Sequence, residues 1–303
     1  MSRPTLRRFA AAALAIGAAL CLSTASGAQA PALAPPSPLE VMTYNIRLGT
    51  ANDGDDHWTR RREMLFELLR EEHPDLVGLQ EAFRFQIDEI LAAVPGYGVV
   101  GVGRDDGLAG GETSAILFRT SRLHVAEAGT FWFSDTPETP GTRTWGNRYN
   151  RVSSWARFID RDGRGFYHYN LHLDHESQPS REKSTVLLLD RIRARAYADE
   201  PVVVTGDFNS GENNPALHHL IDAQAPGAAP AFVDTFRVLH PQDTEVGTFT
   251  AFKFGETKGD KIDYVLVPPG TQVLDARIIR TSRDGRYPSD HFPVTARIMW
   301  PAK

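Results

Sequence analysis

The sequence predicts an α/β protein in which β-sheets pack face to face with helices outside. Short runs rich in valine, isoleucine and leucine recur along the 303 residues and stop at polar residues, as buried strands do. Amphipathic helical stretches lie between them at irregular intervals, and strands dominate towards the C-terminus. Each such helix has one apolar face to bury, which a sheet sandwich covered by helices provides.

Residues 41–48 read as the first strand, with Val41, Met42 and Tyr44 leading into the polar Asn45. After a polar loop, Met64, Leu65, Leu68 and Leu69 fall on one helical face and predict an amphipathic helix over 59–72. Residues 75–79 form a short apolar strand that ends in Gln80-Glu81. Further helices and strands are expected over 86–93, 115–118, 153–159, 165–173, 181–197 and 202–205. Three strands follow at 262–267, 273–279 and 294–299. No internal repeat, heptad run or long Pro/Gly linker divides 39–303, so one domain is expected there.

The N-terminus has a different character. Arg3, Arg7 and Arg8 precede an apolar run from Ala10 to Leu22, and Ala28-Gln29-Ala30 offers a small-x-small cleavage site. This pattern predicts a signal peptide over 1–30 and a protein exported to the periplasm or the medium. The run is shorter than the roughly 20 apolar residues that span a bilayer, so no stable membrane insertion is expected. Residues 31–38 hold four prolines and read as a linker. Cys21 is the only cysteine, and its removal with the signal excludes disulfides, thiolate nucleophiles and cysteine-bound zinc. Loss of three arginines takes the net charge from −5 to near −8. Such a chain has no general attraction to nucleic acid or an anionic membrane, although a local cationic site can still exist.

Polar residues gather where apolar strands stop. Glu81 follows Leu76-Val77-Gly78-Leu79-Gln80, and His172 and His175 lie in Tyr169-Asn170-Leu171-His172-Leu173-Asp174-His175. Asp207 and Asn209 follow Val202-Val203-Val204-Thr205-Gly206, Asp263 lies in Ile262-Asp263-Tyr264, and Asp290-His291 follow Pro288-Ser289. Strand ends converge on one edge of a sandwich, so these residues can share a site. Any one such carboxylate is commonly only a cap or a turn former. Asp207-Phe208-Asn209 is sharper, because strand alternation puts both polar side chains on one side while Phe208 anchors the turn. Ser289-Asp290-His291, wedged beside Phe292-Pro293-Val294, would be costly to bury without a task.

The segment 130–151 contains Phe131-Trp132-Phe133, then Arg143, Trp145, Arg148, Tyr149 and Arg151. Arginine beside aromatic rings can clamp a phosphate and stack a sugar or base, which makes Arg151 a substrate candidate together with His175. The plainer reading is a surface loop with its aromatics tucked against the body. Residues 52–58 read as a second rim.

Thr43-Tyr44-Asn45-Ile46, Leu79-Gln80-Glu81, the His172 segment, Gly206-Asp207-Phe208-Asn209, Ile262-Asp263-Tyr264 and Ser289-Asp290-His291-Phe292-Pro293-Val294 occur in the order of a known motif series. With them the chain resembles the endonuclease/exonuclease/phosphatase superfamily over roughly residues 40–299. The resemblance implies a four-layer α/β/β/α sandwich with two mixed sheets inside, and metal-dependent hydrolysis of phosphate esters. It assigns Asn45 and Glu81 to the metal and the scissile phosphate, with Glu81 the principal ligand and Asp290 supporting the metal side. Asp207 would orient or deprotonate the attacking water, and Asn209 would hold phosphate or water. His172 and His291 would donate to the non-bridging oxygens, with Asp263 as the partner of His291. Oxygen ligands without sulfur suit Mg²⁺ or Mn²⁺.

Two departures narrow the reading. Arg47 stands where abasic-site endonucleases carry an acid, and His172 stands where they carry a tyrosine, which argues against DNA repair. The expected substrate is a small or exposed phosphate ester such as a sugar phosphate or lipid headgroup. An exported nuclease is the first alternative, disfavoured by the acidic chain. A sphingomyelinase-like enzyme lacks its long apolar hairpin here. An inactive binding module is at odds with the intact Glu81, His172, Asp207, Asn209, Asp263 and His291.

Overall fold

Strand alternation builds the core, as the Val202-Val203-Val204 run illustrates. Val202 and Val204 face helices, while Val203 faces the opposite sheet. In this computed structural model, Met1, residues 37–222 and residues 231–301 are described. The expected signal peptide beyond Met1, and residues 31–36 of the expected linker, lie outside the described residues. Contacts divide the chain into Met1–Leu33 and Ala34–Lys303, and all that follows concerns the second unit.

The first half runs β1 (Leu39–Asn45), α1 (Trp58–Glu72), β2 (Leu76–Gln80), α2 (Arg84–Ala93), β3 (Tyr97–Val100), β4 (Ile116–Arg119) and β5 (Leu123–Trp132). Then come β6 (Val152–Asp160), β7 (Gly165–His172), α3 (Gln178–Arg193), β8 (Val202–Asp207) and α4 (Pro215–Ile221). The last are β9 (Val233–Asp234), α5 (Thr235–Leu239), β10 (Asp263–Val267), β11 (Gln272–Ile278) and β12 (Val294–Met299). Among the described residues they form two six-stranded sheets, ordered β11-β12-β1-β2-β4-β3 and β5-β6-β7-β8-β10-β9.

Three apolar layers account for the stacking. Leu65, Phe66, Leu68 and Leu69 of α1 and Ile87 and Ile90 of α2 pack on Met42, Tyr44, Val77 and Leu79 of the first sheet. Leu188, Leu189 and Ile192 of α3 and Leu217 and Leu220 of α4 pack on Tyr169, Leu171, Val204 and Leu266 of the second. Between the sheets lie Val41, Leu76, Phe158, Val203, Val265, Val294 and Ala296. The architecture is therefore an α/β/β/α sandwich of two mixed sheets.

Towards one edge the inter-sheet layer turns polar. Gln80 Nε2 donates to Asn170 Oδ1 at 2.7 Å and to Thr43 Oγ1 at 3.1 Å, and Thr205 Oγ1 donates to Asn170 Oδ1 at 3.0 Å. Asn170 Nδ2 in turn donates to the carbonyls of Leu79 and Ala115. This network fixes the two sheets relative to each other beneath the strand ends, although Gln80 Oε1 is left without a partner. Gly78 makes the approach feasible, because a Cβ there would lie 2.1 Å from Thr205 Oγ1 and 2.4 Å from Asn170 Oδ1.

Several expectations need correction. The first strand stops at Asn45 rather than Leu48, and Arg47 has a left-handed φ of 55° that no strand continues. Residues 123–132 form strand β5, whose middle alternates poorly because it is a sheet edge with exposed residues. Phe131, Trp132 and Phe133 are buried and belong to the body, so they form no substrate rim. Trp58 is buried beside Phe66 and Asp53 is held by Arg47, and none of residues 52–58 lines the cleft at the strand ends.

Candidate active site

Sheet topology decides where the polar residues meet. β1 and β2 run parallel in one sheet, as β7 and β8 do in the other. Asn45, His172 and Asp207 are the last residues of β1, β7 and β8, and Glu81 directly follows β2. β10 is antiparallel to β8, so its first residue, Asp263, is the register partner of Asp207. β12 is antiparallel to β1 with Val294 opposite Thr43, so the preceding loop brings Ser289, Asp290 and His291 to the same edge.

A cleft of about 570 Å³ opens there, with Glu81, His172, Asp207, Asn209, Asp290 and His291 in its wall; Asn45 and Asp263 are buried behind that wall and bonded to it. Asp207 Oδ2 is the centre. Asn45 Nδ2 donates to it at 2.9 Å, His172 Nε2 stands 3.4 Å away and His291 Nε2 3.8 Å away. Asn45 Nδ2 also donates to Glu81 Oε1 at 3.0 Å, and its Oδ1 accepts from the Arg47 amide. Carboxylates on one side and an N–H on the other fix the orientation of the amide. His291 Nδ1 donates to Asp263 Oδ2 at 2.9 Å. Ser289 Oγ donates to the Asn45 carbonyl at 2.7 Å and so locks the Asp290-His291 loop to β1.

Glu81 has a left-handed φ of 59°, as do Arg47 at 55° and Asn209 at 45°, all three in the cleft wall. Non-glycine residues held this way cost energy and concentrate at functional sites. For Asn209 this also revises the spacing argument: β8 ends at Asp207, so alternation does not set its direction. Its Nδ2 donates to the Leu173 carbonyl at 3.0 Å and its amide to Asp207 Oδ1 at 2.8 Å.

A model of the Endonuclease/Exonuclease/phosphatase family matches residues 42–291. The chain belongs to this family. It is 29% identical to a solved family protein from Bacteroides thetaiotaomicron, with a TM-score of 0.78, covering 89% of this chain and 100% of that one. A mannosyl-6-phosphatase of Bacteroides thetaiotaomicron VPI-5482 is also 29% identical, with a TM-score of 0.75 and coverage of 86% and 100%. An uncharacterised protein of Acanthamoeba polyphaga mimivirus is 26% identical over 184 residues, which are 57% of this chain and 68% of that protein.

In this family member the electrostatics divide the site into distinct roles. Burial works against the charge of Glu81, but hydrogen bonds from Asn45 and Leu48 and the charges of His291 and Arg47 outweigh it and lower its pKa. Burial and the neighbouring Asp263 push Asp207 up to about 7. Burial also raises Asp290. His291 resists burial because Asp263 and Asp207 hold its proton, and it rises to about 10. His172 falls well below the usual range through burial and the charges of Arg151 and Arg104, so it is a neutral imidazole with one donor.

The donor set fits a divalent cation. Glu81 and Asp290 present hard oxygen atoms and share Arg47 at 3.9 and 3.7 Å, whereas Asn45, expected among the ligands, turns its Nδ2 to Glu81 and its Oδ1 to the Arg47 amide and so orients the carboxylates instead. That guanidinium is already held by both oxygens of Asp53, at 3.0 and 2.9 Å, which leaves the buried carboxylates short of positive charge. Ligand atoms of Asp207, Asp263 and His291 also lie within 4.8 Å of one another. Because Asp263 Oδ2 is engaged by His291, the Glu81 side is the better cation site on these contacts.

Arg151 and His175 lie on the opposite wall, where Arg151 Nη2 donates to His175 Nδ1 at 2.8 Å. Tyr149 stacks on His175 with ring centroids 6.0 Å apart. Sequence reasoning passes over three residues here. Arg104 and Glu112 pair at 2.7 Å inside the cleft, on a glycine-rich hairpin over 101–112 whose density of glycine was a readable signal. Arg61 is buried in α1 and donates to the carbonyls of Ile46, Arg47, Asp56 and Pro288, a role no sequence pattern discloses.

Proposed function

We propose that this chain is a divalent-metal-dependent hydrolase of small or exposed phosphate esters, with sugar phosphates as the favoured class. The observation that carries the reading is the surrounding of Asp207 Oδ2 by Asn45, His172 and His291 beside an ionised Glu81. A cleft of about 570 Å³ suits a small molecule. The 29% identity to a mannosyl-6-phosphatase supports the sugar-phosphate class.

A cation, Mg²⁺ or Mn²⁺, held by Glu81 and Asp290 would neutralise charge on the phosphate oxygens, with Asn45 holding Glu81 and Asp207 in place through its Nδ2. Asp207 orients the attacking water and accepts its proton, since burial keeps its basicity near neutrality. His291, held protonated by Asp263, donates from Nε2 to a non-bridging oxygen as charge builds. Neutral His172 positions a second oxygen, and Asn209 fixes Asp207 through its amide.

The test is hydrolysis by the purified protein, with Mg²⁺ or Mn²⁺, of p-nitrophenyl phosphate, bis-p-nitrophenyl phosphate, mannose 6-phosphate and DNA. Metal-dependent turnover of small esters is expected, and turnover of DNA alone would overturn the reading in favour of a nuclease. We also propose export, from the arginine, apolar and Ala-Gln-Ala pattern of residues 1–30. Among the described residues no helix is long and apolar enough to cross a membrane. Recovery of the unprocessed chain only from the cytoplasm of its host would count against export.

A further inference from the structure

We propose that Arg151 makes the cleft selective for terminal phosphate monoesters over diesters, by clamping the third, charged oxygen that only a monoester carries. This deepens the hydrolase reading and rests on it.

Among the described residues three arginines line the cleft, and two are already paired. Arg47 is held by Asp53, and Arg104 by both oxygens of Glu112 at 2.8 and 2.7 Å. Arg151 is 3% exposed, and its Nε and Nη1 have no hydrogen-bond partner. Its nearest carboxylate, Asp174, is 3.6 Å from Nε and is filled by the amides of Glu176, Ser177 and Arg148. Only Nη2 is engaged, on the neutral acceptor Nδ1 of His175. A buried guanidinium with two unmet nitrogens is costly unless a ligand supplies acceptors. It lines the same cleft as His172 and Asp207, and its charge bears on both.

The ligand chemistry follows from the fork. Guanidinium groups bind phosphate through two parallel N–H donors, here Nη1 together with the second N–H of Nη2, and a monoester near neutral pH presents a second negative charge. In a diester the corresponding position is an uncharged alkoxy group that cannot satisfy the fork. His291 Nε2, in the wall of the same cleft, offers a donor to the remaining phosphate oxygens.

The test uses inorganic phosphate and dimethyl phosphate as monoester and diester probes, titrated calorimetrically into the full chain in EDTA. Wild type should bind phosphate at least about tenfold more tightly than dimethyl phosphate. Arg151→Gln should reduce that preference to within about threefold by weakening phosphate alone, and Arg151→Lys should fall between them. Arg151→Lys also serves if Arg151→Gln does not melt cooperatively. With Mg²⁺, the ratio of kcat/KM for p-nitrophenyl phosphate over its bis ester should fall about 10²-fold in Arg151→Gln. Equal loss for both anions, or no preference in wild type, overturns the proposal. Hydrolysis with an unchanged ratio leaves the hydrolase reading and removes Arg151. Anion discrimination through Arg151 without hydrolysis of any ester does the reverse.

Discussion

Asp263 Oδ2 accepts a 2.9 Å hydrogen bond from His291 Nδ1, and both side chains are buried. The contact crosses from the start of β10 to the loop before β12, so it joins one sheet to the other at the site. It leaves Nε2 of His291 directed towards Asp207 at 3.8 Å, with the Phe249 ring centroid 5.0 Å away. An imidazole so placed keeps its proton well above neutral pH.

The dyad should therefore act as one unit. His291→Ala removes a donor to the transition state and should lower kcat by about 10²–10³. Asp263→Asn keeps the shape but removes the charge that holds the proton, and should lower kcat/KM by a comparable factor. The double variant should lose little more than His291→Ala alone. Measured kcat/KM values that simply multiply would show that Asp263 works elsewhere, for instance on the cation.

Cation binding should release protons. Without a cation Asp207 titrates at about 7 and is partly protonated at neutral pH, where a cation would favour its ionised form; burial raises Asp290 in the same direction. Calorimetric titration of Mg²⁺ or Mn²⁺ at pH 7 in buffers of different ionisation heat should report net proton release, and Asp207→Asn should reduce it. Activity should vanish in EDTA and return with either ion. Full activity after exhaustive chelation is the result that would count against the mechanism.

The layers of the fold were legible because Val41, Val77, Val203 and Val265 sit in regular strands with clear ends. That regularity is missing from β3 and β5, sheet edges whose residues are uniformly half-buried in β3 and exposed through the middle of β5, and from α4 and α5, which are too short for a periodicity. Motif order brought Asn45, Glu81, His172, Asp207, Asp263, Asp290 and His291 to one edge on paper, since strand ends are local features. The opposite wall was not legible in that way. Arg104 and Glu112 are eight residues apart on a hairpin, and nothing local says that they face His172. Asn209 was assigned to the cleft by an alternation that stops two residues before it.

Arg61 should control the geometry of the metal side from behind. Its guanidinium donates to Ile46 and Pro288 carbonyls at 2.7 and 2.8 Å, and to those of Arg47 and Asp56 at 2.9 Å each. It thereby ties the chain after Asn45 to the chain before Ser289. A lysine ammonium cannot reach four carbonyls in one plane, so Arg61→Lys should cost about 1–3 kcal/mol of stability. Affinity for Mg²⁺ should weaken more than kcat falls at saturating metal. An unchanged Mg²⁺ affinity in a variant that melts lower would reduce Arg61 to a purely structural residue.

Acid stability should trace to His168, one turn of alternation below the site. Tyr167, Tyr169 and Leu171 of β7 face the helices, so His168 and Asn170 face the other sheet. Thr205 Oγ1 donates to Asn170 Oδ1, so it accepts from His168 Nε2 at 2.7 Å, which puts the proton on Nε2 and leaves Nδ1 a buried acceptor without a partner. Protonating Nδ1 would bury both a charge and an unmet donor, and burial lowers the pKa to about 3 from its ordinary 6.5. A base lowered on folding contributes stability that is complete above the unfolded value and is lost as pH falls towards the folded one. Between pH 6.5 and about 3, His168 should therefore add a slope of about 1.4 kcal/mol per pH unit. His168→Gln keeps a donor for Thr205 and cannot titrate, so it should be less stable than wild type at pH 7 yet lose less on acidification. Urea unfolding in EDTA at pH 7, 6, 5 and 4 measures both curves, and carboxylate titrations common to the two proteins cancel in the difference. Parallel curves would mean that His168 is already protonated in the folded chain, and that the inter-sheet layer is wetter than its packing implies.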